Sequence, residues 1–342
     1  MARVDGGGTL RALIALLTAL SFACGGTEPS AKSGEERRKP MAKKVSMDPI
    51  TGNRVRLLGI AQDGGLPHAA CDCVRCAAAR KDPARASLVT SLGIIAAKSR
   101  KTYLIDATPD IIPQLAMLAD TRTLEPGQVD RTPVDGIFLT HAHIGHYLGL
   151  AHLGFEAVNT KGLPVWCSAK MRSFLSTNGP WDQLVRLKNL RLEEMAPASE
   201  VKLADGVTVK ALRVPHRAEY TDTLAFIVKG PRKRILMIPD TSPWHRWTES
   251  VDALFDQVDV ALVDGTFYSG DELPGRDLSK IGHPLIVDSI KRLKGRVASG
   301  KLEVYFIHLN HSNPALEPDS AARKHIESSG FHVGHMGLEI PL

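Results

Sequence analysis

The sequence has no hydrophobic run long enough to cross a bilayer, since the apolar run near its N-terminus covers only residues 12–23. A membrane-spanning helix needs about 20 such residues. The sequence also shows no internal repeat, no Gly-x-Ser-x-Gly nucleophile elbow and no phosphate-binding P-loop. These absences argue against a membrane-spanning protein, a repeat array, a serine hydrolase with that elbow and a P-loop nucleotide-binding enzyme.

The overall composition is that of an ordinary globular protein. Hydrophobic residues make up 43% and charged residues 23%, with 29 Gly and 21 Pro, which excludes collagen, coiled coil and wholesale disorder. The formal net charge is +6, but residues 31–44 supply four of these charges. The rest of the chain is nearly balanced, so we expect a small-molecule substrate and no nucleic-acid partner.

The N-terminus carries the pattern of a bacterial lipoprotein signal. Arg3 and Arg11 precede the apolar run 12–23, which ends in a small residue before the lone Cys24. Such a signal is cut before the cysteine, and the cysteine carries lipid. Phe22 departs from the usual lipobox.

This pattern predicts three parts of the chain: a signal peptide over residues 1–23, a flexible tether over 24–51 and a folded domain over 52–342. Lipid on Cys24 would hold the domain on the periplasmic side of a bacterial membrane. The alternative is that translation starts at Met41 and gives a cytoplasmic protein.

Within the domain, short β-branched runs alternate with helical patterns. The predicted strands are residues 54–60, 88–97, 102–106, 136–140, 165–168, 207–214, 224–228, 235–239, 258–263 and 303–308. The predicted helices are residues 110–119, 146–158, 284–293 and 317–328. This mixed order predicts an α+β fold, an αββα sandwich of two mixed sheets faced by helices.

A histidine cluster follows one predicted strand, in the segment His141-Ala142-His143-Ile144-Gly145-His146. Two histidines two residues apart at a strand end can converge on one metal, and His146 can reach a neighbouring site. Further candidate ligands at later strand ends are His216, Asp240 and His308. Imidazole with carboxylate suits zinc or iron better than magnesium or calcium.

This order and spacing resembles the metallo-β-lactamase superfamily, whose signature is His-x-His-x-Asp-His followed by a His, an Asp and a final His. The resemblance implies that one metal is held by His141, His143 and His216. It also implies that His146 and His308 serve a second metal. Asp240 would bridge the two metals and orient the nucleophile. The resemblance therefore implies catalytic roles for Asp240 and for the ligand His146.

One position departs from that signature, because Gly145 stands where the family has Asp. The second site is therefore expected to lack a carboxylate. We expect one metal to be bound tightly and one weakly, and we expect Gly145→Asp to strengthen the second site.

A second constellation is the Cys-x-Cys-x-x-Cys of Cys71, Cys73 and Cys76, three thiolates that require a fourth ligand. His311, near the far end of the chain, is in a position to complete a closed Cys₃His structural zinc site. The alternative is a disulfide among these cysteines and Cys167, which export from the cytoplasm would favour.

A metallo-β-lactamase-like domain that carries this cysteine motif resembles a group of proteins within the superfamily. That group includes pyrroloquinoline quinone biosynthesis protein B and the cyclic-phosphate phosphodiesterase of the phosphonate pathway. The segments that echo the former are residues 107–110, 178–181, 264–267, 281–284 and 308–314. His141 and His143 are kept, as in the phosphodiesterase. The resemblance extends from about residue 54 to 315.

Several residues near these segments are candidates for a substrate wall. They are Trp181, Trp244, His245, Tyr268 and His283. At the junction after the predicted strand 102–106, Asp110 is predicted to cap a helix or to support a ligand histidine.

These observations predict a metal-dependent hydrolase that uses metal-activated water on a small ester, lactone, amide or phosphodiester. One alternative is a metal-dependent oxygenase related to pyrroloquinoline quinone biosynthesis. The other is a non-catalytic binder or carrier, which the missing Asp at position 145 favours.

Overall fold

The strands, most of whose side chains are buried, form two seven-stranded sheets in the computed structural model. The structure describes residues 51–122, 127–217, 219–247, 251–277 and 280–342. The predicted signal peptide, Cys24 and nearly all of the predicted tether lie outside the described residues. Among the described residues, no helix combines the length and the hydrophobicity that a bilayer span requires.

The first sheet has the strand order β14-β1-β2-β3-β4-β5-β6. Its strands are β1 (Arg54–Gly59), β2 (Ser91–Ala96), β3 (Lys101–Ile105), β4 (Gly136–Phe138), β5 (Leu163–Cys167), β6 (Leu190–Glu194) and β14 (Glu339–Pro341). The pairs from β14 to β3 are antiparallel, whereas those from β3 to β6 are parallel.

The second sheet has the order β13-β12-β11-β10-β9-β8-β7. Its strands are β7 (Glu200–Lys202), β8 (Thr208–Val214), β9 (Thr223–Lys229), β10 (Arg234–Ile238), β11 (Val260–Asp264), β12 (Glu303–Ile307) and β13 (His332–Val333). The pairs from β7 to β10 are antiparallel, and those from β10 to β13 are parallel. Both sheets are therefore mixed, and the predicted α+β sandwich is confirmed.

The α-helices are short apart from α7. They are α1 (Val74–Lys81), α2 (Ile111–Ala116), α3 (Ile144–Tyr147), α4 (Ala169–Thr177), α5 (Trp181–Arg186), α6 (Val251–Phe255), α7 (Ile286–Ala298) and α8 (Ala321–Ser328). The predicted helix over residues 146–158 is wrong in extent, since α3 ends at Tyr147 and a 3₁₀ helix continues over Leu148–Leu153.

The chain has two large hydrophobic cores among its described residues, and a single strand can contribute to both of them. On β1, Val55 and Leu57 belong to the apolar cluster shared with the second sheet, whereas Leu58 belongs to the cluster beneath the helices that cover the first sheet. Successive side chains of a strand point to opposite faces, so one strand serves two cores. The sheets are thereby covered on both faces.

Parallel pairing positions the polar residues at strand ends. Strands β10, β11 and β12 run parallel, so their carboxyl ends lie at one edge of the second sheet. Asp240 follows β10, Asp264 ends β11 and His308 follows β12. The fold therefore collects polar side chains along one rim, although they are far apart in sequence.

Candidate metal centre

A first group of possible ligands consists of His141, His143, His216 and Asp240, whose nearest ligand atoms lie within 4.8 Å of one another. Nε2 of His141 is 2.8 Å from Nδ1 of His143 and 3.3 Å from Oδ2 of Asp240. Nε2 of His216, which follows β8, is 3.5 Å from Oδ1 of Asp240. The two-residue spacing at the end of β4 thus does bring both histidines to one point.

Hydrogen bonds fix the outer nitrogens of two of the three histidines in this group, His141 and His143. Nδ1 of His141 lies 2.9 Å from the Thr140 hydroxyl, which itself donates to the Asp106 carboxylate. Nε2 of His143 lies 2.9 Å from Oε2 of Glu219. Such outer partners set the ring orientation and leave the inner nitrogen available for a metal.

A second group adjoins the first and consists of Asp63, His146, Asp240 and His308. Nε2 of His146 lies 3.3 Å from Oδ1 of Asp63 and 3.4 Å from Oδ2 of Asp240. Nε2 of His308 lies 3.6 Å from the same Asp240 oxygen and 4.0 Å from Oδ1 of Asp63. Asp240 therefore belongs to both groups, as the sequence resemblance implied.

The expectation that the second site lacks a carboxylate beyond the bridging Asp240 is wrong. Asp63, in the loop after β1, occupies the space beside Gly145. A Cβ built on Gly145 would lie 2.1 Å from Oδ1 of Asp63 and 2.7 Å from its Cα. An Asp side chain at 145 would meet that backbone, so the expectation that Gly145→Asp strengthens the site does not fit the packing.

The support for His146 also differs from prediction. Nδ1 of His146 lies 2.7 Å from Oδ2 of Asp106, and both side chains are fully buried. Asp110 occupies the N-cap position of α2 but makes no capping bond with its side chain, and it accepts a hydrogen bond from the Val89 backbone instead. Asp106 is therefore the partner of the ligand histidine.

The residues present fit a pair of metal ions. Oδ1 of Asp63 and Nε2 of both His146 and His308 are buried and have no hydrogen-bonding partner in the described part of the chain. Nitrogen and oxygen ligands at about 2.0–2.2 Å from a tetrahedral ion lie roughly 3.3–3.6 Å apart. The distances around Asp240 fall in that range, so a shared ion would satisfy these unpaired atoms.

The protonation states of His141, His216 and Asp240 also suit metal binding. Burial lowers the pKa of His141 well below its ordinary value and that of His216 to about 4, so both rings are neutral at pH 7. Burial alone would raise the pKa of Asp240, but the surrounding imidazoles, His308 first, hold it well below its usual range. Neutral imidazole and ionised carboxylate are the forms that bind metals.

The cysteine motif forms a separate cluster with His311. Nδ1 of His311 is 3.5 Å from Sγ of Cys71 and 3.7 Å from Sγ of both Cys73 and Cys76. A tetrahedral zinc, with Zn–S about 2.3 Å and Zn–N about 2.0 Å, separates sulfur and nitrogen by roughly 3.5 Å. The spacing therefore fits a Cys₃His zinc site.

The cysteines are free, which contradicts the disulfide alternative. Cys167 is fully buried at the end of β5 in the core beneath the helices, and not in the cysteine cluster. In the cluster, burial raises the pKa of Cys73, but hydrogen bonds from the Cys76 backbone and His311 lower it to about 6. A thiolate at neutral pH is the form that binds zinc.

Of the five predicted substrate-wall residues, His283 lies at the metal centre. Its Nδ1 is 2.8 Å from Oδ2 of Asp264 and 3.1 Å from Oδ1 of Asp240. Burial lowers its pKa, but the two carboxylates, Asp264 first, outweigh that effect and raise it well above its usual value.

The other four candidates lie elsewhere. Trp181 is buried against Tyr147, and the Tyr268 hydroxyl lies 2.9 Å from Nδ1 of His325. Trp244 and His245 line a surface cavity together with Lys291 and Arg292. These positions give no contact with either group of metal-ligand candidates.

Four carboxylates at the site were not among the candidates proposed from the sequence as ligands or as their partners: Asp63, Asp106, Glu219 and Asp264. Asp264 ends a strand, as the predicted ligands do, so its position was a usable signal. Asp63 follows a strand within Gln62-Asp63-Gly64-Gly65, which reads as an ordinary turn. The role of Asp63 is visible only in the structure, where its carboxylate faces Nε2 of His146 and Nε2 of His308.

The fold and the two candidate ligand groups are those of a protein of the metallo-β-lactamase type. The Beta-lactamase superfamily domain model matches residues 101–309, and the chain belongs to this superfamily. Coenzyme PQQ synthesis protein B of Cupriavidus necator is 27% identical over 314 residues, covering 84% of this chain and 99% of that protein. The same-named protein of Ruegeria pomeroyi is 29% identical, covering 84% and 100%.

Solved structures agree on the fold. Zn²⁺-bound PqqB from Methylobacterium extorquens has a TM-score of 0.69 at 23% identity, covering 84% of this chain and 100% of its own. A diphosphatase from the PhnP family has a TM-score of 0.60 at 18% identity, covering 84% and 96%. The resemblance to this superfamily and to its group of quinone-biosynthesis proteins is confirmed.

Proposed function

We propose that this chain is a metal-dependent hydrolase that cleaves a small ester, lactone, amide or phosphodiester. The observation that carries the proposal is the shared position of Asp240. Its Oδ2 lies 3.3 Å from Nε2 of His141 and 3.4 Å from Nε2 of His146, which belong to different ligand groups. One ion would be held by the first group and a second ion by the second group, with Asp240 contributing to both.

Zinc or another redox-inactive ion held there would lower the pKa of a water molecule toward about 7 and would polarise a carbonyl or phosphoryl oxygen. Asp240 lies between the two groups and is placed to orient the attacking water. The outer nitrogens of His141 and His146 are engaged by the Thr140 hydroxyl and the Asp106 carboxylate, which directs the inner nitrogens of both rings toward Asp240. These contacts orient the donor set before any substrate binds.

His283 is the side chain that we propose contacts the substrate. Its Nδ1 donates a hydrogen bond to Asp264, and its side chain stays 16% exposed beside Asp240. A ring held by two carboxylates keeps a fixed orientation. It can therefore position a substrate or leaving group at the open side of the ligand groups.

The relatives named for coenzyme PQQ synthesis support a small polar molecule as the substrate. The binder or carrier alternative rested on the missing carboxylate at position 145. Because Asp63 supplies a carboxylate to the second group, that reason no longer applies. The oxygenase alternative depends on the metal, so the proposal is tied to zinc or another redox-inactive ion.

Hydrolysis of bis(p-nitrophenyl) phosphate, p-nitrophenyl acetate and a simple lactone tests the proposal with the full chain and its bound metals quantified. Asp240→Asn should lower turnover by about two orders of magnitude or more, whereas Asp319→Asn, an exposed carboxylate outside both groups, should not. Oxygen consumption by an iron-loaded chain, without hydrolysis, would select the oxygenase. A metal-loaded chain that turns over no compound would overturn the hydrolase.

A further inference from the structure

We propose that Asp63 is the terminal carboxylate ligand of the second metal, and that Gly145 exists to make room for it. The ligand that the superfamily signature places in the histidine segment would then come from the loop after β1. This inference concerns metal binding and does not depend on the hydrolytic reaction.

The loop that carries Asp63 is held firmly against the site. The Gln62 backbone N–H donates to the Leu309 carbonyl at 2.9 Å, one residue beyond His308. The Gly65 backbone N–H donates to the Gln62 carbonyl at 2.7 Å, which closes the turn around Asp63. The carboxylate is thus attached to the same strand end that presents His308.

The Asp63 carboxylate faces the inner nitrogens of the second group. Its Oδ1 lies 3.3 Å from Nε2 of His146 and 4.0 Å from Nε2 of His308. All three atoms are buried and lack hydrogen-bonding partners in the portion of the chain described. Buried unpaired donors and acceptors carry a large free-energy cost, which a common cation would remove.

The need for glycine at position 145 comes from the limited space around it and not from its backbone conformation. Gly145 lies in α3 and has no left-handed φ angle, so its backbone would accept other residues. A Cβ there would nevertheless meet Oδ1 of Asp63 at 2.1 Å and the Asp63 Cα at 2.7 Å. A side chain at 145 and the observed position of Asp63 therefore exclude each other.

Metal content separates this inference from a merely structural role for Asp63. The full chain is loaded with zinc, dialysed and measured by elemental analysis, with melting temperature as a check of folding. We expect three metals per chain for the wild type and two for Asp63→Ala. Asp63→Asn keeps the side-chain shape and should weaken retention against a competing chelator by at least about tenfold.

Gly145→Ala is the sharper test, because it removes no ligand. Its methyl group should displace Asp63 and lower the count to two, and Asp63→Ala combined with Gly145→Ala should lose nothing more. Gly295→Ala is the matched control, since open space surrounds Gly295, and it should keep three metals.

Three metals in a folded Asp63→Ala or Gly145→Ala chain would overturn the inference, as would only two in the wild type. A chain that holds three metals but hydrolyses no test compound would contradict the proposed function alone.

Discussion

His146 and Asp106 form a fully buried pair, with Nδ1 of the ring 2.7 Å from Oδ2 of the carboxylate. Asp106 also accepts the backbone N–H of Thr140 at 2.8 Å and its hydroxyl, and that hydroxyl lies 2.9 Å from Nδ1 of His141. One carboxylate therefore orients a histidine in each ligand group. It links the two sites without facing either metal position.

Asp106→Asn should weaken metal binding at both sites, because the amide cannot accept from a ring N–H and the hydroxyl as a carboxylate does. Outer partners of ligand histidines typically contribute 10- to 100-fold in metal affinity, so we expect about that loss in zinc titration against a chelator. Asp110→Asn is the control, since Asp110 contacts the Val89 backbone and not a ligand. Equal zinc affinity for both variants would contradict this role of Asp106.

Cys73→Ser should remove one zinc per chain and lower the melting temperature. The cluster of Cys71, Cys73, Cys76 and His311 joins the loop after β1 to the residues after β12, so the metal contributes directly to folding free energy. Each lost kcal/mol lowers the melting temperature of a domain of this size by roughly 2 °C or less. Differential scanning calorimetry with elemental analysis measures both quantities.

Cys167→Ala serves as the thiol control for that experiment. Cys167 is buried in the core beneath the helices, outside the cluster, so its loss should leave the zinc content unchanged. An unchanged melting temperature and zinc content for Cys73→Ser would show that the cluster binds no structural metal.

Cys167 should also make the chain lose stability at alkaline pH. Burial raises the pKa of its thiol from about 9 to about 12. Between these values the unfolded chain releases a proton that the folded chain keeps, so stability falls as the pH rises above 9. The fall should be up to about 1.4 kcal/mol per pH unit from this group.

Denaturant unfolding at pH 7, 9, 10 and 11 measures this dependence. Cys167→Ala should be less stable at pH 7, because it leaves a small cavity, but its stability should decline less steeply above pH 9. Parallel pH profiles for the two proteins would show that Cys167 ionises equally in both states.

Cys24 remains the predicted point of membrane attachment, and it lies outside the described residues. If it carries lipid, Cys24→Ser should move the protein from the membrane fraction to a soluble or unprocessed form, since acyl chains supply the anchoring. Mass spectrometry of the native N-terminus gives an independent measurement. An unmodified start near Met41 would contradict the lipoprotein prediction.

The strands of the fold were well predicted from the sequence. All ten predicted strands are present, because each is a β-branched or apolar run that is buried on at least one face. The four missed strands are short or carry charged residues: β6, β7, β13 and β14. Helices α1, α4, α5 and α6 were also missed, although Ser168 caps α4 by accepting from the Met171 backbone.

The candidates that share a local pattern or a strand end could be predicted from the sequence alone. The spacing of His141, His143 and His146 after a strand determines which side chains converge. His216, Asp240 and His308 follow strands whose ends meet at one rim. The local spacing of the three cysteines likewise predicted their cluster, and His311 was added to it because it follows the candidate ligand His308 by three residues. In each case short-range geometry limits where the side chain can point.

The carboxylate that completes the second group could be identified only from the packing of the folded chain. From the sequence, Gly145 appeared as a lost ligand and Asp63 as part of a turn, 82 positions apart. Their relation depends on a close approach of two loops, in which the missing Cβ of one residue leaves the space that the carboxylate of the other fills. Excluded volume between distant segments has no local signature, because it arises only when the chain is packed.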